Sequence, residues 1–295
     1  MKEILDIIKA ALEEAMGESY SISHQEMQKQ NDTVLHGVVI RRGNEWAAPM
    51  IPIDYMASAV QKGSSSVTDV VQEIIHIYKE SRLTNVLDGA NIILNRQDIL
   101  KSVVYGVVSL EKNTAYLVDK VFREFLDLAV MYRVVVHTDN EGIHTIAVTN
   151  EMCQEYSICL EELEEAARNN TKAFGFCLRP VAKVLAELCG EDSILGDGIP
   201  MWVCSNERGT LGAHVLLYGE VFAELAKMLG DDLVILPSSI HEVIAFAASQ
   251  VETPNDLIDL VNFVNTSSVP EGDVLSDSVY QYSRETGEIS MVQGS

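Results

Sequence analysis

Apolar positions near the start of the chain recur at helical spacing. Between Ile4 and Ala15 they fall three and four residues apart, with acidic residues between them. This pattern predicts an amphipathic helix, and Gly17 is a residue type that commonly follows the last helical turn. The same spacing predicts further helices over 67–82, 219–229 and 254–265, and two or three more within 151–189.

Runs that alternate with period two predict strands instead. Within residues 126–137, Val130, Tyr132 and Val134 share one face while Arg133 lies on the other. Turn-forming residues adjoin such runs at four places, so hairpins are predicted around 30–32, 139–142, 237–239 and 285–287. Hairpins that alternate with helices, without regular βαβ spacing, predict an α+β fold. We expect mixed, mostly antiparallel sheets with helices packed on one face.

A loop rich in glycine and aspartate, residues 190–198, predicts the position of a domain boundary. The chain would then divide into α+β regions over 1–190 and 199–295. One continuous domain is the alternative.

Two segments of the chain resemble each other, TIAVTNE at 145–151 and MWVCSNE at 201–207. They indicate either two related halves or the coincidence of a common strand-to-helix pattern. In the second interpretation Asn150 and Asn206 are helix N-caps. In the first, the two asparagines would face one binding cleft.

The charge of the chain restricts its partners. There are 21 Lys and Arg against 44 Asp and Glu, which gives a formal net charge of −23. Binding to a nucleic-acid backbone requires basic residues, so direct nucleic-acid binding is not expected, and anionic membrane surfaces are disfavoured for the same reason. No apolar run reaches the roughly 18 residues of a membrane span. The acidic surface indicates solubility, with mimicry of nucleic acid as the alternative.

The five cysteines predict neither disulfides nor a zinc site, because their number is odd and no CxxC pair occurs. Free thiols favour a cytoplasmic location. No metal or cofactor is expected: no nucleotide-binding glycine pattern is present, and HExxH is absent. His137 and His144 would face each other across a hairpin, either as an exposed pair or as a two-histidine site.

The segment PSSIHE contains the strongest candidate chemistry, with Ser238, Ser239, His241 and Glu242 within five residues. On a strand, Ser239 and His241 would share one face, and Glu242 would lie on the other, where it could not orient the imidazole. A hydrolase would therefore need a distant acid, for which Asp277 is the candidate. The alternative is a structural turn whose hydroxyls cap backbone groups.

Segments spread along the chain resemble a family of bacterial proteins, the domain of unknown function 5688. They are LHGVVIRRG (35–43), FLDLAVMYRVVV (125–136), IAVTNE (146–151), EELEEAARNN (161–170), GAHVLLY (212–218), LVILPSSIHEV (233–243) and VLSDSVYQY (274–282). The most specific of them are PSSIHEV and LSDSVYQY. The chain departs from the family pattern at residues 29–32 and at AAPMIPID. The resemblance implies a shared fold over nearly the whole length, and it implies no activity.

These observations favour a non-catalytic cytoplasmic interaction or accessory protein with a protein partner. No catalytic pattern outweighs its structural interpretation, and the sequence indicates no oligomeric state. The alternatives are a hydrolase-like enzyme with its site at the PSSIHE turn, and an acidic decoy of a nucleic-acid-binding protein.

Overall fold

A computed structural model describes residues 2–43, 50–83, 95–138, 143–189, 199–237, 239–252 and 256–292. The chain forms two compact units. The first comprises residues 1–29 and 33–93, and the second comprises Gln30–Asp32 together with residues 94–295. Every strand pairing described is antiparallel, which confirms the predicted α+β class.

The first unit is a three-stranded sheet covered by helices. The strands lie in the order β1-β2-β3, and their bounds are β1 Tyr20–Gln28, β2 Val34–Arg42 and β3 Met50–Pro52. The helices are α1 Lys2–Met16, α2 Asp54–Gln61 and α3 Val67–Leu83. Ile22, Val38 and Ile40 lie on one face of the sheet and join Ile8 and Ile74 of the helices in one apolar core. The predicted helix ending at Gly17 and the hairpin around 30–32 are both confirmed.

The second unit contains a four-stranded and a six-stranded sheet. In the first, β6 Leu128–Thr138 pairs with β4 Val103–Ser109, β5 Phe122–Phe125 and β7 Ile143–Ala147. The second has the order β13-β12-β10-β11-β9-β8. Its bounds are β8 Cys177–Pro180, β9 Trp202–Ser205, β10 Leu233–Leu236, β11 Val243–Ala247, β12 Tyr280–Tyr282 and β13 Ile289–Met291.

The helices of the second unit are α4 Arg96–Ser102, α5 Asn150–Glu155, α6 Leu160–Lys172, α7 Val181–Cys189, α8 Gly219–Leu229 and α9 Asp256–Ser267. Of these, α8 and α9 pack on opposite faces of the six-stranded sheet, whereas α4 and α6 pack against the four-stranded sheet. In β10, Leu233 and Ile235 join the core that contains Phe222 of α8, whereas Val234 joins a separate core with Val261 of α9. Helices packed on one face were predicted, but for this sheet the alternation of apolar residues gives each face its own core.

The sequence pattern located most hairpins of the second unit and missed three of its strands, β4, β5 and β8. The predicted antiparallel neighbours around 237–239 and 285–287 are confirmed as β10–β11 and β12–β13. The turn predicted at 139–142 lies outside the described residues, although its flanking strands pair. Residues 177–180, expected within a helical region, form β8 instead, because their backbone pairs with β9.

Neither asparagine proposed as a helix N-cap has that role. The cap of α5 is Thr149, whose side chain accepts the Met152 N–H, so Asn150 is already the first helical residue. Asn206 follows β9 and holds a loop: its Oδ1 accepts the Arg208 N–H, and its Nδ2 donates to the Thr210 carbonyl. Both were wrong by the same reasoning, since a strand-to-helix pattern alone does not place the cap to one residue.

The predicted division between 1–190 and 199–295 stays a prediction, because the proposed boundary falls on residues outside the described part. What the structure does describe is a pairing across that position, between β8 and β9. No described helix combines the length and the apolar character that crossing a bilayer requires.

His214 makes the stability of the second unit dependent on pH. The side chain is fully buried in the 3₁₀ turn Gly212–Leu217, where Nδ1 lies 2.7 Å from the Leu211 carbonyl and the Phe174 and Tyr218 rings flank the imidazole. Burial lowers the pKa of His214 from 6.5 to about 4. Below pH 6.5 the unfolded chain therefore binds a proton that the folded chain excludes.

We expect the free energy of unfolding to fall as the pH decreases from 6.5 to 4, with His214 alone contributing a loss of about 3 kcal/mol. Urea titrations at several pH values measure this slope. H214N should flatten the slope. Equal slopes for H214N and the wild type would contradict the assignment.

Candidate functional site

Alternate residues of the LSDSVY segment hold the carboxylate of Asp127. Ser276 and Ser278 donate to its Oδ2 over 2.5 and 2.9 Å, and Tyr280 donates to its Oδ1. Ser276 and Tyr280 are almost fully buried. Burial and the Asp127 charge raise the pKa of Tyr280, so its hydroxyl stays protonated.

Asp127 reaches these hydroxyls from a tight turn between β5 and β6. Leu126 adopts a left-handed backbone conformation with φ 56°, and the Asp127 carbonyl accepts the Leu110 N–H at 3.0 Å. Asp127 therefore binds the loop after β4 through its backbone carbonyl and the LSDSVY segment through its carboxylate. Three hydroxyl donors on one charged acceptor make a strong connection between distant parts of the chain.

Asp277 points away from Asp127, because successive residues of an extended segment face opposite sides. Its Oδ2 lies 2.6 Å from Lys112 Nζ, and its Oδ1 accepts from Asn265 Nδ2 at 2.8 Å. Burial opposes ionisation of Asp277, but the Lys112 and Asn265 contacts outweigh it, so the pKa lies below the ordinary value. Asp277 is thus a charged, engaged carboxylate at physiological pH.

A cavity of about 710 Å³ adjoins Asp277 in the second unit. One wall is α9, which contributes Asn262, Asn265 and Thr266. Asn265 and Thr266 follow Asn262 by three and four residues, so both lie on the same side of the helix as Asn262. Carboxylates also line the cavity, those of Asp32 and Glu271 in addition to Asp277.

Asn31 and Asp32 belong to the second unit and are fixed there by several hydrogen bonds. Asn31 exchanges two with Asn113: its N–H donates to Oδ1 at 2.6 Å, and its own Oδ1 accepts from Nδ2 at 2.8 Å. Asp32 accepts the backbone N–H groups of Ala115 and Tyr116 at 3.0 and 2.8 Å. Burial opposes ionisation of the Asp32 carboxyl group, but these hydrogen bonds together outweigh it and hold the pKa of Asp32 below its usual range. This part of the cavity wall is preorganised.

Asn265 is the most unusual residue of the cavity wall. The residue is 4% exposed, and its Nδ2 donates both to the Ser276 carbonyl at 2.9 Å and to Asp277. Both partners are acceptors, so the orientation of the amide is fixed. Its Oδ1 is buried and finds no donor among the residues described. A buried acceptor without a donor is costly, which makes this atom a feature to explain.

A second hollow, also of about 710 Å³, adjoins the cavity. It is mostly apolar and is lined by Leu126, by Ile258 of α9 and by residues 289–292 of β13 and its end. Asp277 lines both hollows.

The PSSIHE turn is a packed junction. Ser239 is 7% exposed, and its Oγ accepts the His241 N–H at 3.0 Å. Nδ1 of His241 accepts the Leu211 N–H at 3.2 Å, so the neutral ring carries its hydrogen on Nε2. The His241 carbonyl accepts from Ser205 Oγ at 2.8 Å.

The predicted grouping of Ser239, His241 and Asp277 is not assembled as a triad. Nε2 of His241 faces Asp273, with 3.6 Å to Oδ1, whereas the Asp277 carboxylate is engaged by Lys112 and Asn265. The imidazole lone pair is directed at the Leu211 N–H, away from the role of a general base. Ser238 lies outside the described residues.

Glu242 is half-buried next to this histidine. The pKa of Glu242 lies above its ordinary value, mainly because of burial. The His241 ring lowers this pKa in part, and the Asp273 charge raises it. Of the two weaker candidates for binding, Asn150 is exposed at the start of α5 and Asn206 is buried within its loop. His137 and His144 do form a cross-strand pair, with ring centroids 5.6 Å apart. Within the described ranges no cluster of three potential metal ligands occurs.

The family model of DUF5688, a family of unknown function, matches residues 1–284. The chain belongs to DUF5688. No curated protein and no solved structure matches it. The matched residues include every residue that lines the polar cavity, whereas β13 lies beyond them.

The two segments that resemble DUF5688 most specifically lie side by side in the structure. The Ile240 N–H donates to the Asp273 carbonyl at 2.9 Å, and the Ser276 N–H donates to the Pro237 carbonyl at 3.2 Å. Ser239 and Val274 form an antiparallel bridge between them. In this DUF5688 chain the specific segments therefore build one junction, and Asp277 extends from it into the cavity wall.

Sequence reasoning missed Asn265, Lys112 and Asp127 as residues of this region. Asn265 was hidden within an amphipathic helix, and Asp127 lies 149 positions from Ser276. The available signal was the alternation of hydroxyl residues in LSDSVY, which indicates that Ser276, Ser278 and Tyr280 share one polar face. It does not indicate which residue of DUF5688 lies opposite.

Proposed function

We propose that this chain is a non-catalytic binding protein of the cytoplasm, and that the cavity along α9 is its binding site. The observation that supports this is the buried Asn265 Oδ1, which lacks a donor among the described residues while its amide nitrogen is held. A ligand with an N–H or O–H group would supply the missing donor if the wall opens to expose this oxygen. Such a gain favours the bound state over the free one.

The cavity lining favours donors over anions. Asp32, Glu271 and Asp277 contribute three carboxylates, against the single ammonium of Lys112. Lys112 is already paired with Asp277. A phosphate or carboxylate ligand would meet net negative charge here, whereas an amine, guanidinium or amide would meet acceptors.

Binding without catalysis is supported by the state of the reactive groups. The His241 lone pair is used by a backbone N–H, and Asp277 is used by Lys112 and Asn265. The free thiols of Cys153, Cys177 and Cys204 suit a reducing compartment.

The test is a ¹H–¹⁵N NMR titration of the full chain with N-acetyl-lysine methylamide. We expect the lysine probe to cause saturable shifts of the Asn262 and Asn265 side-chain amides, and N-acetyl-glutamate methylamide to cause none. Because the proposed function is non-catalytic, the lysine probe should be recovered chemically unchanged. N262A should weaken binding by about fivefold, as expected for one lost hydrogen bond. N169A, an exposed helical asparagine of α6, is the matched control. Shifts confined to other regions, or equal shifts with both probes, would rule the site out.

A further inference from the structure

One face of α9 runs past both hollows. Ile258 lines the second, mostly apolar hollow, called the apolar cleft below, while Asn262 and Asn265 line the polar cavity. The spacing of four and three residues places them in a row along the helix. Asp277 lines both hollows and lies where they meet. The cavity and the cleft are therefore two ends of one groove.

The floor of the apolar end is the terminal strand of the six-stranded sheet. β13 is last in the strand order, paired with β12 on one side. Four successive residues, 289–292, line the cleft. A cleft above one face of a strand would be lined by alternate residues, whereas all three residues of β13 line this one, so the cleft extends to the strand edge. Strand edges bind extended chains through backbone hydrogen bonds.

The two ends of the groove differ in chemistry. The apolar end presents Leu126, Ile258 and Met291, whose side chain is 38% exposed. The polar end is lined by three acidic residues and by Lys112, and its wall also contains the buried Asn265 Oδ1, which lacks a donor among the described residues. A partner that matches both ends carries a bulky apolar group and a cation.

We propose that the groove binds an extended peptide segment of a partner protein, with a Leu-like side chain in the cleft and a Lys or Arg in the cavity. This inference rests on the proposed binding function of the cavity. The distance from Ile258 to Asn265 along α9 is about 10 Å, since a helix rises about 1.5 Å per residue. An extended peptide rises about 3.3 Å per residue, so the two side chains lie two to four positions apart.

The test uses rhodamine-labelled nonapeptides of Gly and Ser with blocked ends, each carrying one Leu and one Lys from one to six positions apart. Fluorescence polarisation with the full chain measures Kd. We expect the tightest binding at separations of two to four, and at least tenfold weaker binding when Lys is replaced by Glu.

Two variants assign the ends of the groove. M291A should weaken the best peptide about fivefold and have no effect on its Leu→Ser version, and M228A, at another exposed methionine, is the control. E271Q should weaken the best peptide about threefold and have no effect on its Lys→norleucine version. E285Q, an exposed glutamate of the β12–β13 turn, is the matched control.

The two proposals fail in different ways. If the lysine probe shifts the α9 amides but peptide affinity depends neither on separation nor on Met291, the cavity is a binding site and the peptide inference is wrong. A Kd that depends on Met291 but not on Lys also overturns it, since the groove would then bind only apolar chains. If no lysine compound shifts the α9 amides, the proposed function fails first.

Discussion

Replacing Gly212 by alanine is expected to destabilise the second unit by about 3 kcal/mol or more, at the upper end of the cost of overpacking. A Cβ at this position would lie 2.0 Å from Ser205 Oγ and 2.3 Å from the His241 carbonyl oxygen. The carbonyl belongs to the backbone of the PSSIHE turn and is itself held by Ser205 Oγ. Neither neighbour can move without breaking that hydrogen bond, so the backbone has to shift.

Gly219 provides the matched control, because a Cβ there would have its nearest neighbour at 3.6 Å, an ordinary contact. G219A, at the first residue of α8, should lie within about 0.5 kcal/mol of the wild type. Urea unfolding followed by circular dichroism compares the two variants. If G212A and G219A unfold at the same urea concentration, the turn is not the rigid junction described above.

Replacing Asp127 by alanine should cost about 3 kcal/mol or more, because three hydroxyls lose one charged acceptor. Two of the donors, on Ser276 and Tyr280, are almost fully buried and would have to find other acceptors in the protein interior. The loss is larger than that of a single hydrogen bond because the network breaks at its common member. The measurement is the free energy of unfolding from urea titration.

Two further variants separate charge from packing at this point. D127N retains an oxygen acceptor and should lose less stability than D127A. Y280F removes one donor and leaves the two serines on Asp127, so it should cost about 1 kcal/mol. Should Y280F destabilise the chain as much as D127A, the energy would lie in the Tyr280 ring environment and not in the shared carboxylate.

The sequence predicted those elements whose signal is local. The spacing of apolar residues located α8 over Gly219–Leu229 without error, because a helix is specified by neighbours three and four positions apart. β8 was missed because its four residues carry no alternation that distinguishes a strand from the helices around it. Its strand form is stabilised by pairing with β9, which follows more than twenty positions later.

The candidate site depended on information that a single sequence does not contain. Asp277 was correctly singled out within a specific segment, but its partner was predicted to be His241, and the structure gives it Lys112 and Asn265. Alternation along LSDSVY predicts that Asp277 faces away from the serines and does not predict what it meets there. Lys112 lies 165 positions before Asp277, and periodicity does not report on such a separation.

The helix α9 packs through Val261 onto Val234 and Phe246, and neighbouring residues of the same helix line the groove. Any opening that detaches the helix from the sheet also removes a wall of the groove. A bound partner can therefore stay no longer than the helix stays docked, and it slows the hydrogen–deuterium exchange of the α9 amides in proportion to its occupancy. The local stability of this one helix therefore sets an upper limit on the lifetime of the proposed complex.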